Sequence, residues 1–410
     1  MSETWPPAES LNVVMIALGD EVLTGWGDTR ERHLDYAERI AHLHMIGYSP
    51  HSLDLHQTPL SDHLTFYPTR SLTRPSFIWD AVRIGTQICR SQHIDVITTQ
   101  DPFTTGLAGL LLKWRFKIPL DLQNHSDFFD NKYWLAEKPQ YPILHALGKW
   151  VVRGGDTYRV LNRGEQAKYV RMGIAAERVI VLATPVRLSR FTPEAPAGES
   201  EVLRASLGIP PDTPVVLWVG NPVWFKRIPI LIDAFAQVRE MYSDAHLVVV
   251  GNFADRQEIR EQVQHLELTD CVHFPGKADH EALPAYYRLC DVYAHSSIYE
   301  GLGKVMIEAA ACGKPVVATR TAGGQEIIID GETGLLCEPE NPTDVAAKIN
   351  SLLADPDRAQ SMGRAARLHV LDKFDHTRNL DAVIHTWRHT ASFDRRTRSA
   401  SLHPAREGQR

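Results

Sequence analysis

The sequence predicts two α/β domains, each a parallel sheet wound with helices. Three observations carry that reading. The length of 410 residues suits two or three domains at about 150 residues each. Short apolar runs alternate with helical patterns along most of the chain. The alternation breaks at TPEAPAGESE (192–201), which has no periodicity and reads as a linker.

The first domain is placed at 1–191. Its first strand is LNVVMIAL (11–18), followed by a polar loop bearing Gly25 and Gly27. A helical pattern starts near Arg32 and is read through to Gly47 as a C-terminal cap. Strand-like runs follow at SPHSLDL (49–55), IDVITT (94–99), IPLDLQ (118–123), TYRVL (157–161) and RVIVL (178–182), with helical segments between several of them. The loops 56–75 and 127–145 carry no clear pattern.

After a linker at 192–204, the second domain spans 205–374. Its strands are VVLWVG (215–220), HLVVVG (246–251), CVHFPG (271–276), CDVYAHSS (290–297) and PVVAT (315–319). Helical patterns separate them, among them IPILIDAFAQVRE and GKVMIEAAAC. A last helical stretch covers 375–391. The tail 392–410, rich in Arg and poor in apolar residues, is expected to be disordered.

Composition excludes several classes. The net charge of −6 offers no basic field for nucleic acid. No apolar run approaches the roughly 18 residues of a membrane span, and the first residues do not read as a secretory signal. Five scattered cysteines without a Cys-x-x-Cys pair fit a reducing, cytoplasmic setting. There is no P-loop, no His-Glu-x-x-His and no Gly-x-Ser-x-Gly. Asp355-Pro356-Asp357 lies between two helical patterns, where Asp caps and Pro opens a helix, so it is read as a cap and not as a metal site.

The densest signal is SSIYEGLGKVMIEAAACGKPVVATRTAGGQEIIIDGETG (296–334). A strand ends at Ala294, and a helix opens near Lys304. Gly301 and Gly303 remove side chains where backbone N–H groups face outward, which makes an anion site. Glu300 precedes that helix and Glu308 lies about one turn inside it. Two carboxylates beside an anion site suit sugar hydroxyls, which can donate to them. A second element, VGNPVWFKRIP (219–229), sets Asn221, Lys226 and Arg227 in a loop at the carboxyl edge of the sheet, the usual ligand position in such folds.

Glu300-x₇-Glu308, Gly313-x-Pro315-Val316-Val317-Ala318-Thr319, Gly323-Gly324, Glu326-Ile327-Ile328 and Asp330-Gly331-x-x-Gly334 together resemble the retaining glycosyltransferases of family four, which have the GT-B fold of two Rossmann-like domains. The likeness covers roughly residues 11–390 and is stronger in the second domain. It implies that Lys226 neutralises the departing diphosphate, that Glu300 faces the donor sugar and that Glu308 binds the nucleotide ribose. It implies that Gly301, Leu302, Gly303, Lys304 and Val305 hold sugar and pyrophosphate by their backbone. It sets His125 beside the reacting carbon, Gly25 and Gly27 near the diphosphate, and Gly276, Lys277 and Ala278 along the nucleobase. It also implies that the first domain binds the acceptor, that the second binds the nucleotide sugar and that the 375–391 helix crosses back to the first domain.

Two departures stand out. Asn221 occupies the position where the family usually has Arg, and Arg187 replaces an acidic residue before the linker. The reaction implied is metal-independent hexosyl transfer from a UDP- or GDP-sugar, with no resident cofactor, to a glycan or lipid-linked acceptor of cell-surface polysaccharide or glycolipid synthesis. Two rival readings are a non-catalytic nucleotide-sugar-binding protein, which Asn221 favours, and a synthase or epimerase acting on a nucleotide sugar. A segment with Lys113, Trp114, Arg115, Phe116 and Lys117, then Trp134, Lys138, Tyr141, Lys149 and Trp150, suits peripheral contact with a membrane face.

Overall fold

The computed structural model describes residues 5–24 and 28–401, with only the backbone described at 24, 28 and 394–401. The chain divides into two units, Met1–Pro185 with Thr377–Arg410, and Val186–His376.

The first unit holds an eight-stranded sheet. Its strands are β1 (Asn12–Ala17), β2 (His42–Gly47), β3 (Thr58–Ser61), β4 (Leu64–Pro68), β5 (Val96–Thr99), β6 (Leu120–Asn124), β7 (Thr157–Val160) and β8 (Val179–Val181). The order is β3-β4-β2-β1-β5-β6-β7-β8, and only the β3–β4 pair is antiparallel. Strands β5, β6 and β7 are buried throughout, as a parallel sheet covered on both faces requires. The winding reverses between β1 and β5, which makes their carboxyl ends a switch point.

The helix read over 32–47 is corrected. The helix is Asp28–Ala37, and β2 takes His42–Gly47 in register with β1, Met15 opposite Met45. Leu43 and Met45 alternate into one core while Ile46 is buried on the other face. The run LHMI fits period 2 as well as 3.6, and the neighbouring strand decided between them. Gly47 is no helix cap: a Cβ there would lie 2.3 Å from the Phe66 ring and 2.6 Å from the Gly19 carbonyl oxygen. SPHSLDL is not a strand and holds only the isolated bridge Pro50–Ser71. Strands β3 and β4 lie instead in the segment that had no clear pattern.

The linker at 192–204 is also corrected. The helix Glu199–Leu207 starts inside it and is tied to the second unit by the Arg288 fork on Glu199 at 2.7 and 2.8 Å. Glu199 and Glu201 favour its N-terminus through the helix dipole. At the other end, the helix His376–Ser401 passes from the second unit into the first and runs through the first part of the expected disordered tail. No Gly or Pro interrupts the sequence between 376 and 403, so nothing breaks the helix. Leu380, Val383, Ile384, Trp387 and Ala391, spaced at three and four, fill the first unit's core.

The second unit has six strands, all parallel: β9 (Val215–Val219), β10 (His246–Val250), β11 (Val272–Gly276), β12 (Val292–His295), β13 (Val316–Thr319) and β14 (Leu335–Cys337). The order is β11-β10-β9-β12-β13-β14. Here the winding reverses between β9 and β12, which pair directly, Leu217 opposite Tyr293. The loops leaving β9 and β12 therefore emerge side by side. Asp355 caps the helix Pro356–Lys373 by accepting from the Arg358 N–H at 3.0 Å, as its sequence position predicts.

Candidate active site

After β9 the chain makes a 3₁₀ turn, Trp224–Lys226, and enters the helix Ile228–Met241 through Arg227 in the left-handed region at φ 51°. This turn is fastened to the segment after β12. The Ile298 N–H donates to the Phe225 carbonyl at 2.9 Å, and the Ser296 hydroxyl donates to the Lys226 carbonyl at 2.7 Å. Phe225 stacks on the buried Tyr299 ring, centroids 4.5 Å apart.

That fastening brings Lys226 and Glu300 into an ion pair of two largely buried side chains. Beneath it lies His295, fully buried, with Nε2 at 3.2 Å from the same Glu300 oxygen and 2.9 Å from the Ser297 hydroxyl. Burial pushes the Glu300 carboxyl up, but the Lys226 charge and the His295 hydrogen bond outweigh it and hold the group at about 2. Burial and the nearby Lys226 charge push the His295 imidazole down. Glu300 is therefore a fixed anion at neutral pH.

Gly303, at φ 79°, opens the helix Lys304–Ala311, and no side chain caps it. A side chain at 303 would be strained by the backbone angle and would meet Met306 Cε at 2.3 Å. Gly301, Leu302 and Gly303 are buried, whereas Lys304 and Val305 are half-buried at the helix mouth. First-turn N–H groups and the dipole leave this end electropositive.

Inside that helix Glu308 accepts from the Tyr287 hydroxyl at 2.8 Å. Its other oxygen faces His280 Nε2 at 3.6 Å. Arg190 Nη1 lies 3.1 Å from His280 Nδ1. Because guanidinium can only donate, Nδ1 accepts, and in the neutral ring the proton sits on Nε2, toward Glu308. His280 stands in the loop that begins at Gly276, Lys277 and Ala278, so this loop does reach the Glu308 carboxylate. Asn221 is exposed on the loop after β9. Arg227 forms a fork with Glu340, Nη2 to Oε2 being 2.6 Å.

The sequence-predicted residues divide between the units. Lys226, Glu300 and Glu308 share the second. His125 follows β6 in the first, where its Nε2 lies 2.9 Å from Gln123 Oε1. That oxygen also accepts from the buried Arg159 at 3.1 Å. Gly25 and Gly27 lie outside the described residues. Sequence reasoning missed His295, His280, Tyr287 and Arg190. The signal for His295 was present: it is the last residue of a strand ending at the ligand edge, five before Glu300. His280, Tyr287 and Arg190 come from separate segments, and no spacing links them.

The expected membrane-facing segment is not one face. Trp134 is buried, Lys113 pairs with Asp156, and Lys149 pairs with Asp130 at 2.8 Å. Trp114 and Trp150 remain about half exposed and meet edge to face at 5.7 Å, with Ile143 also exposed. Among the described residues no helix is long and apolar enough to cross a membrane.

Residues 199–369 match the model of "Glycosyl transferases group 1" and residues 32–185 that of "Glycosyl transferase 4-like domain". A D-inositol 3-phosphate glycosyltransferase of Thermomonospora curvata is 30% identical over 298 residues, 68% of each chain. A GDP-mannose-dependent alpha-(1-6)-phosphatidylinositol monomannoside mannosyltransferase of Mycolicibacterium smegmatis is 34% identical over 57% of this chain and 62% of its own. Among solved structures, the sucrose-phosphate synthase of Thermosynechococcus elongatus superposes with a TM-score of 0.77 at 25% identity, over 92% of this chain and 98% of its own. The fold class is GT-B. On both the matched segments and the relatives, the chain belongs to the group 1 glycosyl transferases.

Proposed function

We propose that the protein transfers a hexosyl group from a UDP- or GDP-sugar to a hydroxyl of a glycan or lipid-linked acceptor, with retention at the anomeric carbon and without a metal. The observation that carries the reading is the buried Lys226–Glu300–His295 cluster beside the glycine-opened helix Lys304–Ala311. A dependence on GDP-mannose in the name of one relative supports a nucleotide-sugar donor.

In this reading the bond between the anomeric carbon and the diphosphate oxygen breaks as the acceptor oxygen bonds to the same face. The acceptor proton passes to the departing phosphate. Lys226 and the helix N-terminus take up the charge developing on the diphosphate. Glu300, kept ionised, accepts from hydroxyls of the donor sugar, and Glu308 accepts from the ribose. His125, in the first unit, directs its Nε2 proton at Gln123 Oε1. Backbone groups of Gly301 to Val305 and of Gly276 to Ala278 hold pyrophosphate and base. The reading without a metal is supported by this cationic provision, since Lys226 and the glycine-opened helix N-terminus both put positive charge where a diphosphate would depart. A cytoplasmic setting is supported by five free thiols, four of them buried.

The test is a screen of UDP- and GDP-sugars for thermal stabilisation, followed by transfer assays in excess chelator. Stabilisation by one donor, turnover in chelator and an unchanged anomeric configuration by NMR are expected. Activity restored only by Mn²⁺ refutes metal independence. Donor binding with no transfer or donor hydrolysis across acceptors favours a non-catalytic binding protein. Peripheral membrane contact through Trp114, Trp150 and Arg115 is tested by flotation with anionic liposomes, and the double change Trp114→Ala, Trp150→Ala should abolish it.

A further inference from the structure

Asp121, Gln123 and His125 alternate along β6 and just past its end, so period two sets all three on one face of the first sheet. The neighbouring strands complete that face. β7 pairs Thr157 with Asp121 and Arg159 with Gln123, and β5 pairs Thr98 with Asp121. Five polar side chains therefore lie behind His125 in the middle of a buried parallel sheet, where each must find a partner.

Their hydrogen bonds leave one arrangement. The Arg159 guanidinium donates to three oxygens: Nε to the Leu182 carbonyl at 3.1 Å, Nη2 to the Ala183 carbonyl at 2.9 Å and Nη1 to the Gln123 side chain at 3.1 Å. A guanidinium has nothing to accept with, so the Gln123 atom facing it is the carbonyl oxygen Oε1. The other end of the amide agrees. Gln123 Nε2 donates to the Thr98 hydroxyl at 2.9 Å and to Asp121 Oδ2 at 3.3 Å. Asp121 also accepts from the hydroxyls of Thr98 at 2.8 Å and Thr157 at 3.1 Å. Burial pushes its carboxyl up, and these hydrogen bonds and the Arg159 charge act against that. Turning the amide over would set N–H against N–H at Arg159 and oxygen against oxygen at Asp121.

His125 Nε2 meets the same Gln123 Oε1 at 2.9 Å. That oxygen can only accept, so Nε2 donates; in the neutral ring the lone pair is then on Nδ1. The backbone on either side of the ring is tied separately. Asn124 Nδ2 donates to the buried Glu165 at 2.6 Å, and Asp127 is paired with Lys168. Gln123 thus acts on the ring, and other contacts fix the loop.

We propose that Gln123, locked by Arg159, is a positioning residue for His125: it keeps the imidazole in the Nε2–H tautomer, so that Nδ1 can take a hydrogen bond from a substrate hydroxyl and cannot give one to a phosphate oxygen. The inference rests on the transfer reading above, for which it names the kind of group that His125 can read. The opposite tautomer would present a donor at Nδ1 and suit an oxyanion instead.

The test is NMR of the full chain with ¹⁵N-labelled histidine rings, His125 being assigned by its absence in His125→Asn. The native protein should show a pyrrole-type Nε2 and a pyridine-type Nδ1, with the Nε2 proton visible in water because its hydrogen bond slows exchange. Gln123→Met, close in size but without the accepting oxygen, should lose that proton signal. Gln123→Glu, which keeps an acceptor, should retain it. In transfer assays Gln123→Met should lower kcat at least about fivefold, with the donor KM changed less than about twofold. A pyridine-type Nε2 in the native protein overturns the proposal. So does a proton signal that Gln123→Met retains or Gln123→Glu loses, or a kcat that Gln123→Met leaves unaltered. The native spectrum and Gln123→Glu keep the test open if Gln123→Met fails to fold. Transfer by a native protein with the wrong tautomer sinks this inference alone. The expected tautomer in a protein that transfers from no nucleotide sugar sinks the transfer reading.

Discussion

At the carboxyl edge of the first sheet, the loops after β1, β2, β5 and β6 bring rings together around a cavity. At the matching edge of the second, the loops after β9 and β12 bring Lys226, His295 and Glu300 into one buried cluster. The scaffolds are alike and the switch points correspond, so the loops alone set the chemistry. The two clusters are also held differently. Stacked rings are stabilised by burial, spread over many contacts, and tolerate loss of any one. An ion pair with little water depends on each partner, because losing one leaves the other charged and unsolvated.

The sharpest way to break the comparison is therefore Lys226→Ala. It strands Glu300, and a loss of about 3–5 kcal/mol in urea unfolding at pH 7 is expected. Its kcat/KM should fall by at least about tenfold, since a charge-assisted contact is worth roughly 1.5–3 kcal/mol. A ring change in the first unit such as Tyr141→Leu should cost well under half of that stability.

Next in size is the acid dependence. Glu300 is held at about 2 in the fold, against an ordinary 4.5. Its lowered value adds roughly 3 kcal/mol of stability, present above about pH 4.5. That contribution should disappear as pH falls from about 4.5 through 2. Urea midpoints at pH 7, 4 and 3 should show this acid loss in the native protein and a smaller one in Lys226→Ala. Equal losses in both proteins would remove the ion pair from the account.

The two glutamates sharpen it further. Glu308 meets a neutral hydroxyl and an imidazole, where Glu300 meets an ammonium. Glu308→Gln still accepts from Tyr287 but loses its charge; KM for the donor should rise about tenfold with kcat little changed. Glu300→Gln should chiefly lower kcat. The opposite pattern would exchange their roles. The smallest effect is expected of Asn221→Arg. Because Arg227 is already committed to Glu340, an added guanidinium should tighten donor binding, measured by titration, by a few-fold.

How far the sequence could be read follows from the same contrast. Glu300, Gly303 and Glu308 share one short segment, and Lys226 lies just past a buried strand, so motif spacing located them. His280 faces Glu308 with its other ring nitrogen on Arg190, a contact across 90 residues that no local pattern encodes. The second sheet was legible because its central strands, such as VVLWV and HLVVV, are continuous apolar runs between clear helices. The first was less so. Strand β2 carries His42 and His44 among its apolar residues and fits two periods, and β3 contains Pro59 at an edge. The apolar cavity drew on Leu18, Tyr48, Phe103, Phe128 and Trp134, which are scattered along the chain, and Trp134 looked like a surface aromatic until folding buried it.

The passage of the helix His376–Ser401 into the first unit bears on the order in which the protein can mature. The first unit's core contains Trp387, fully buried against Tyr36 with ring centroids 5.5 Å apart, together with Leu380 and Val383. Those side chains leave the ribosome only after the whole second unit has been synthesised. The second unit, continuous from 186 to 376, has every residue of its sheet available earlier. During translation the half made first thus finishes last, waiting with an open apolar face, and that nascent face is where a chaperone has most to protect.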